Sequence, residues 1–256
     1  MRFIPLASSS AGNAYLVEAP GAGTSPGGQL LLECGVSYKK LQKLAGFGLN
    51  GLSGCLITHE HKDHSKCWAD LVKNGVRVWA SAGTIEKLAE GDGGGTAPSG
   101  NASLLEELPE DPEEGDNPFL PFRVGAFDIL PFPTFHDAKQ SAGYLIRAGG
   151  EKLAFVTDMG AIHIRFPGVN ILALEANYDK DILARCERMP DKVKQRVQNS
   201  HMEIGTLCSY LAGADLSACR ELYLLHLSDV SANEGDFVRR VRAVVPGHVR
   251  VTACPK

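Results

Sequence analysis

Thr58-His59-Glu60-His61-Lys62-Asp63-His64 places three histidines and an aspartate within six residues, in the pattern His-x-His-x-Asp-His. The preceding Gly54-Cys55-Leu56-Ile57 reads as a short buried strand, and Ser65 to Asn74 reads as a helix. The cluster therefore sits on a strand-to-helix loop, where a rigid scaffold can hold polar groups over a cleft. Neutral imidazole and carboxylate suit Zn, Mn and Fe ions. Two ligands two residues apart can face the same way off an extended segment, as His59 and His61 would. The adjacent Asp63 and His64 must diverge, which favours a second ion over further ligands for the first. A solvated histidine-rich loop is the bland alternative, and the flanking apolar strand and helix count against it.

At 256 residues and 27.4 kDa the chain can bury one large core, and residues 1–256 read as a single domain. Its 44% hydrophobic and 22% charged residues fall within the ordinary globular range, which excludes a disordered or fibrous class. No run approaches the roughly 20 apolar residues of a membrane span, so no membrane association is expected. Met1 to Ser8 lacks the apolar core of an export signal. The seven cysteines are scattered and contain no CxxC, which predicts buried thiols in a reducing cytoplasm. A net charge of −4 does not advertise a broad nucleic-acid surface, although a local basic patch is compatible with it.

Outward from the motif, Arg2 to Ala7, Ala14 to Glu18, Leu30 to Glu33 and Val76 to Ala80 read as strands. So do Phe122 to Val124, Phe127 to Phe132, Ala142 to Ala148, Lys152 to Thr157, Val169 to Glu175, Leu222 to Leu227 and Val249 to Ala253. Helices are predicted over Ser37 to Ala45, Ala82 to Ala89, Ile182 to Gln198, Ile204 to Ala212 and Glu234 to Val244. Gly91 to Asn101 reads as a glycine-rich loop and Glu106 to Asp116 as an exposed acidic one; together 91–116 resembles an insertion. Two sheets packed on each other with helices outside would bury these runs.

Three distant polar residues follow apolar strands and precede turns: His136 in Phe135-His136-Asp137, Asp158 in Thr157-Asp158-Met159-Gly160, and His226 in Leu225-His226-Leu227-Ser228. Each alone is more often a hydrogen-bonded structural residue. Combined with the first motif, they make candidates for completing a metal site.

These blocks resemble the metallo-β-lactamase superfamily. The likeness is carried by Ser8-Ser9-Ser10-Ala11-Gly12-Asn13-Ala14, Leu31-Leu32-Glu33-Cys34-Gly35, the His-x-His-x-Asp-His motif, His136 with Gly143-Tyr144, and Phe155 to Gly160. Leu174 to Asp179, Ser200-His201-Met202 and His226-Leu227-Ser228 with Asn233 resemble segments of its YycJ/WalJ-like group. The resemblance implies a mixed α/β (α+β) fold, a four-layer αββα metallo-β-lactamase sandwich with two divalent metal ions (Zn, Mn or Fe) at one edge. It implies His59, His61 and His136 on one ion, Asp63, His64 and His226 on the other, and Asp158 bridging. Asp63 would also orient the attacking water, and His201 would stabilise phosphoryl charge or protonate the leaving group. A surface histidine capping the helix from Ile204 is the plainer reading of His201. Lys62, Asn177 and Asn233 are candidate substrate contacts.

Two departures stand out. Glu33 occupies a position where an aspartate is usual in the family, and Asn199-Ser200 precedes His201 where a glycine is usual. The activity implied is a phosphodiesterase or nuclease acting on DNA or RNA. The competing activity is a small-molecule hydrolase, for a thioester, lactone or cyclic phosphate, using the same dinuclear site. Basic runs at Lys192, Lys194 and Arg196 and at Arg239, Arg240 and Arg242 are solvated helix faces or phosphate contacts.

Overall fold

The computed structural model describes residues 1–21, 27–91, 102–111, 113 and 115–255. Six strands form the first sheet, in chain order: β1 (Arg2–Ala7), β2 (Ala14–Glu18), β3 (Gln29–Leu32), β4 (Leu52–Leu56), β5 (Val78–Ala80) and β6 (Leu105–Glu107). The β1-β2-β3 end is antiparallel, whereas β3 through β6 run parallel. Helices α1 (Tyr38–Leu44), α2 (Lys62–Ser65), α3 (Trp68–Lys73) and α4 (Ala82–Ala89) supply the crossovers that parallel pairing needs.

The second sheet repeats this plan in the order β13-β12-β11-β10-β9-β8-β7. Its strands are β7 (Phe122–Val124), β8 (Phe127–Pro133), β9 (Ala142–Ala148), β10 (Glu151–Val156), β11 (Ile171–Glu175), β12 (Glu221–Leu225) and β13 (Arg250–Ala253). β7 to β10 pair antiparallel, and β10 to β13 pair parallel. Helices α5 (Lys180–Arg185), α6 (Asp191–Ser200), α7 (Ile204–Ala212) and α8 (Glu234–Arg242) fall between these later strands.

Strand alternation explains the layering. Successive side chains of β11 point to opposite faces. Ile171 and Ala173 join the core between the sheets, and Leu172 and Leu174 join the core beneath α7 and α8. β3 divides likewise, with Leu30 and Leu32 between the sheets and Leu31 beneath α1 and α3. Both faces are covered, which is why these strands are continuous apolar runs. The three cores are the three interfaces of a four-layer αββα sandwich, as the sequence predicts.

Three expectations change. The helix expected over Ser65 to Asn74 is two pieces, α2 and α3, broken at Cys67, whose N–H bonds back to Cys34 O at 3.0 Å. The helix expected over Ile182 to Gln198 splits in two: α5 ends at an extended Cys186, and α6 begins after Pro190, whose φ is −60° and ψ 148°. The acidic stretch expected to be an exposed loop begins instead with β6, and its Leu108 is buried. The glycine-rich reading of 92–101 lies outside the described residues. Among the described residues, no helix is long and apolar enough to cross a membrane. The cysteines are free, with Cys34, Cys55, Cys67, Cys219 and Cys254 buried.

Candidate metal centre

The parallel strands of both sheets end at the same rim, the usual place for ligands in such sheets. Thr58 to His64 follows β4, Asp158 follows β10, Glu175 ends β11 and His226 follows β12. Glu33, Asp158 and His226 each adopt a left-handed backbone, with φ of 62°, 50° and 54°. Non-glycine residues tolerate that region only where their surroundings hold them there. Here each turns its side chain over the strand end.

Hydrogen bonds tie the two sheets together at this rim. Tyr144 of β9 donates its hydroxyl to Ile57 O at 2.6 Å, and Ala142 N–H donates to Thr58 O at 3.0 Å. Lys139 N–H donates to Glu60 Oε1 at 2.9 Å, fastening the His136 loop to the motif. Ser8 Oγ accepts from His226 N–H at 2.8 Å and pairs with Tyr15 OH at 2.6 Å. Asn13 accepts from Tyr15 OH and reaches His64 Nε2 at 3.2 Å, which explains the Ser8 to Asn13 block. Gly35 admits the close approach of the motif: a Cβ there would lie 1.7 Å from Asp63 O.

The seven candidate ligands converge. His59 Nε2 lies 3.0 Å from His61 Nδ1, and His136 Nε2 lies 3.2 Å from the same atom. An ion about 2.0–2.1 Å from three tetrahedrally disposed nitrogens needs them roughly 3.3 Å apart, so this triad fits one. The outward nitrogens fix the tautomers. Thr58 gives its hydroxyl proton to Glu33 Oε1 at 2.6 Å and so accepts from His59 Nδ1 at 2.9 Å. His136 Nδ1 donates to Ser200 O at 3.0 Å. Both Nε2 lone pairs therefore face the centre.

A second group adjoins the first. Asp63 Oδ2 lies 3.1 Å from His226 Nε2 and 3.4 Å from His64 Nε2. Asp158 stands between the groups, its Oδ2 3.3 Å from His64, 3.5 Å from His136 and 3.8 Å from His59, and its Oδ1 3.3 Å from His226 Nδ1. His59 with His61 and His136, and Asp63 with His64 and His226, are two clusters of metal-ligating type; Asp158 joins His59 and His64 in a third, and Glu175, His201 and His226 in a fourth.

Side-chain electrostatics alone set these groups apart. Burial pulls His59 well below its usual pKa, and His64 adds to the effect. Burial likewise lowers His136. Burial opposes a charge on His226, but Asp158, Asp63 and Glu175 outweigh it and push the imidazole up to about 10. Asp158 is held ionised: burial alone would raise it, and His226 and His64 overcome that. Asp63 is held ionised in the same way by His64 and His226. Such displaced proton affinities cluster at working sites.

Glu175 is the residue that sequence reasoning missed. It is fully buried, accepts from Met159 N–H at 3.0 Å and Met202 N–H at 3.1 Å, and contacts His201 Nδ1 at 2.6 Å and His226 Nδ1 at 3.2 Å. One glutamate ending the apolar run Ile-Leu-Ala-Leu was the available signal, since a buried carboxylate requires partners. Glu33 carries out the corresponding task in the first sheet through Thr58, with His64 Nδ1 3.4 Å away.

His201 lies within the Asp158, Glu175 and His226 group, 3.9 Å from Asp158 Oδ2 and 16% exposed, rather than on the outer surface. Burial would lower its pKa, but the Glu175 carboxylate raises it. The helix-capping alternative fails, because Glu203 caps α7 by accepting from Thr206 N–H at 2.9 Å. Of the candidate substrate contacts, Lys62 is exposed beside the motif. Asn177 is buried and donates to His226 O at 2.9 Å, which makes it a support for that histidine. Asn233 accepts from Asp236 N–H at 3.0 Å and caps α8. A cleft of about 720 Å³ opens at His136, between the 134–141 loop and α6.

This fold and rim constellation define a member of the metallo-β-lactamase superfamily, and the chain belongs to it: the family profile described as a β-lactamase superfamily domain matches residues 29–227. Its relatives include the exodeoxyribonuclease YycJ of Bacillus anthracis, 30% identical over 241 residues that cover 89% of this chain and 83% of that one. The exodeoxyribonuclease WalJ of Streptococcus pneumoniae is 28% identical over 87% of this chain and 80% of its own. Among solved structures, the metallo-β-lactamase fold protein YhfI of Bacillus subtilis superposes with a TM-score of 0.70 at 17% identity, covering 99% and 97% of the two chains.

Proposed function

We propose that this protein is a metal-dependent phosphodiesterase, an exonuclease acting on DNA, with two divalent ions (Zn, Mn or Fe) at the rim. The observation that carries the reading is the pair of adjoining His/Asp clusters with Asp158 between them, of which His136 also lines a cleft that contains Lys139, Lys192 and Arg196. The names of the YycJ and WalJ relatives support the substrate class. His59, His61 and His136 would hold one ion, Asp63, His64 and His226 the other, and Asp158 would touch both. Bound there, such ions supply Lewis acidity and bring the pKa of a water towards neutrality.

The protein's own groups do the rest. Asp63, ionised and in contact with His226 and His64, accepts a hydrogen bond from the attacking water and aims it. Thr58 with Glu33, and Ser200 O, hold His59 and His136 in the tautomers that ligation requires. His201, fixed by Glu175, faces the phosphoryl group and stabilises its charge or gives a proton to the leaving oxygen. The scattered free thiols are consistent with a reducing compartment, and the cytoplasm is the proposed location.

The test is hydrolysis of end-labelled single-stranded DNA by purified protein with added Mn or Zn, beside an Asp63→Ala control. Metal-dependent cleavage that disappears in the control is the expected result, and the product ladder gives direction. Absence of cleavage by protein carrying both ions would move the assignment to a small ester, thioester or cyclic phosphate.

A further inference from the structure

We propose that Phe135 is a stacking platform for the terminal nucleobase next to the scissile phosphodiester. The inference rests on the nuclease reading and adds how the strand is held. Phe135 is 72% exposed, although a large apolar side chain gains most by burial. It immediately precedes His136, whose Nε2 belongs to the first cluster, so its backbone is fixed at the edge of the chemistry. Its ring lies on a ridge shared by two clefts. On one side is the cleft of about 720 Å³, lined by Lys139, Lys192 and Arg196; Arg196 is paired with Asp137 at 2.5 Å and Lys139 lies 3.6 Å from Glu86. On the other is a cleft of about 530 Å³, with Leu130, Phe132, Leu145, Ile164 and Phe166 in its wall. The other comparably exposed phenylalanine, Phe47 at 70%, lines neither cleft.

This division matches the chemistry of a nucleic-acid strand. Phosphates require cations, and three are gathered in one cleft of a chain whose net charge is −4. Bases require flat apolar surface, and an exposed ring beside a cationic groove is how single strands are gripped without regard to sequence. Bases inside a duplex are already stacked on both faces, so the ring is open to an unpaired base or to the outer face of a terminal one.

The test compares single-stranded oligonucleotides in which an abasic residue replaces each of the terminal nucleotides in turn, cut by the metal-loaded wild type, Phe135→Ala and Phe135→Trp. In the wild type, one position should show an abasic penalty of about 5- to 150-fold in kcat/KM. In Phe135→Ala the ratio at that position should fall towards one, and Phe135→Trp should retain it. A penalty that persists in Phe135→Ala, or no position-dependent penalty in the wild type, would overturn the platform. Metal content and melting of the variants show whether the His136 loop is intact, and quenching of a 2-aminopurine strand reads stacking without turnover. A strand that binds with quenching but is never cut would sink the nuclease reading alone. Wild type that produces no quenching would sink the platform alone.

Discussion

Glu175→Gln separates positioning from folding at this site. Glu175 Oε2 serves the amides of Met159 and Met202, and Oε1 serves His201 and His226. Glutamine keeps one acceptor, and the two backbone amides are best satisfied by placing it where Oε2 is. Its NH2 then confronts two imidazole nitrogens that formerly donated. His201 then loses its carboxylate partner on Nδ1, and His226 keeps only Asp158 Oδ1 at 3.3 Å, so its balance shifts to the tautomer with the proton on Nε2, which faces Asp63 Oδ2 at 3.1 Å. That nitrogen is the proposed ligand and loses its lone pair. A charge-assisted hydrogen bond of roughly 1.5–3 kcal/mol is lost as well. The expected outcome is a 10- to 100-fold weaker affinity for the ion held by Asp63, His64 and His226, as for other groups that orient metal ligands. Turnover should fall with it, and the lost hydrogen bond should lower the melting temperature by about 3–12 °C. Glu175→Ala differs, because two buried amides lose their acceptor at a cost of roughly 2–6 kcal/mol. Metal titration by calorimetry, metal content by mass spectrometry and thermal melting distinguish the two. If Glu175→Gln binds both ions with wild-type affinity and turns over normally, Glu175 does not orient these histidines and the tautomer argument is wrong.

Asp158→Ala should remove most metal and most activity, since Asp158 alone touches both clusters; two ions per chain retained in the variant, by mass spectrometry, would refute its bridging role. His201→Ala should keep metal and slow turnover by roughly 10²- to 10⁴-fold, the usual contribution of a general acid, read from single-turnover cleavage; loss of metal would make it a ligand instead. Gly35→Ala should push the motif away from β3, because the added methyl meets the Asp63 carbonyl. A cost of roughly 3 kcal/mol, seen as a fall of about 6–12 °C in melting temperature, is expected, together with weaker metal binding.

Much of this was legible in the chain, for physical reasons. Val169 to Glu175 reads as a strand, and β11 occupies Ile171–Glu175 of it, because a strand covered on both faces must be continuously apolar. His59 through His64 is legible because ligand-type side chains rarely crowd so closely at a strand end except around a metal. Glu33 and Glu175 were harder: each is one carboxylate at the end of an apolar run, and its partners come from segments distant in sequence. The tautomers of His59 and His136 depend on Thr58 Oγ1 and Ser200 O, which no spacing rule brings into view. The break at Cys67 follows from a tertiary hydrogen bond to Cys34, and local propensity is silent about it. Asn233 was misleading because an asparagine before a helix serves equally as a cap or a contact, and the structure gives it to the cap.

The rim is built from both sheets. The motif after β4 supplies His59, His61, Asp63 and His64, while the second sheet supplies His136, Asp158 and His226. Neither half holds a complete cluster of the proposed kind, so the ions would act as a clasp across the sandwich. Ions held only by the folded chain would add their binding energy to its stability. Resistance to unfolding then rises with free metal, by about 2.7 kcal/mol at a concentration 100 times the dissociation constant. Metal supply would therefore govern how long the protein survives in the cell as well as how fast it works.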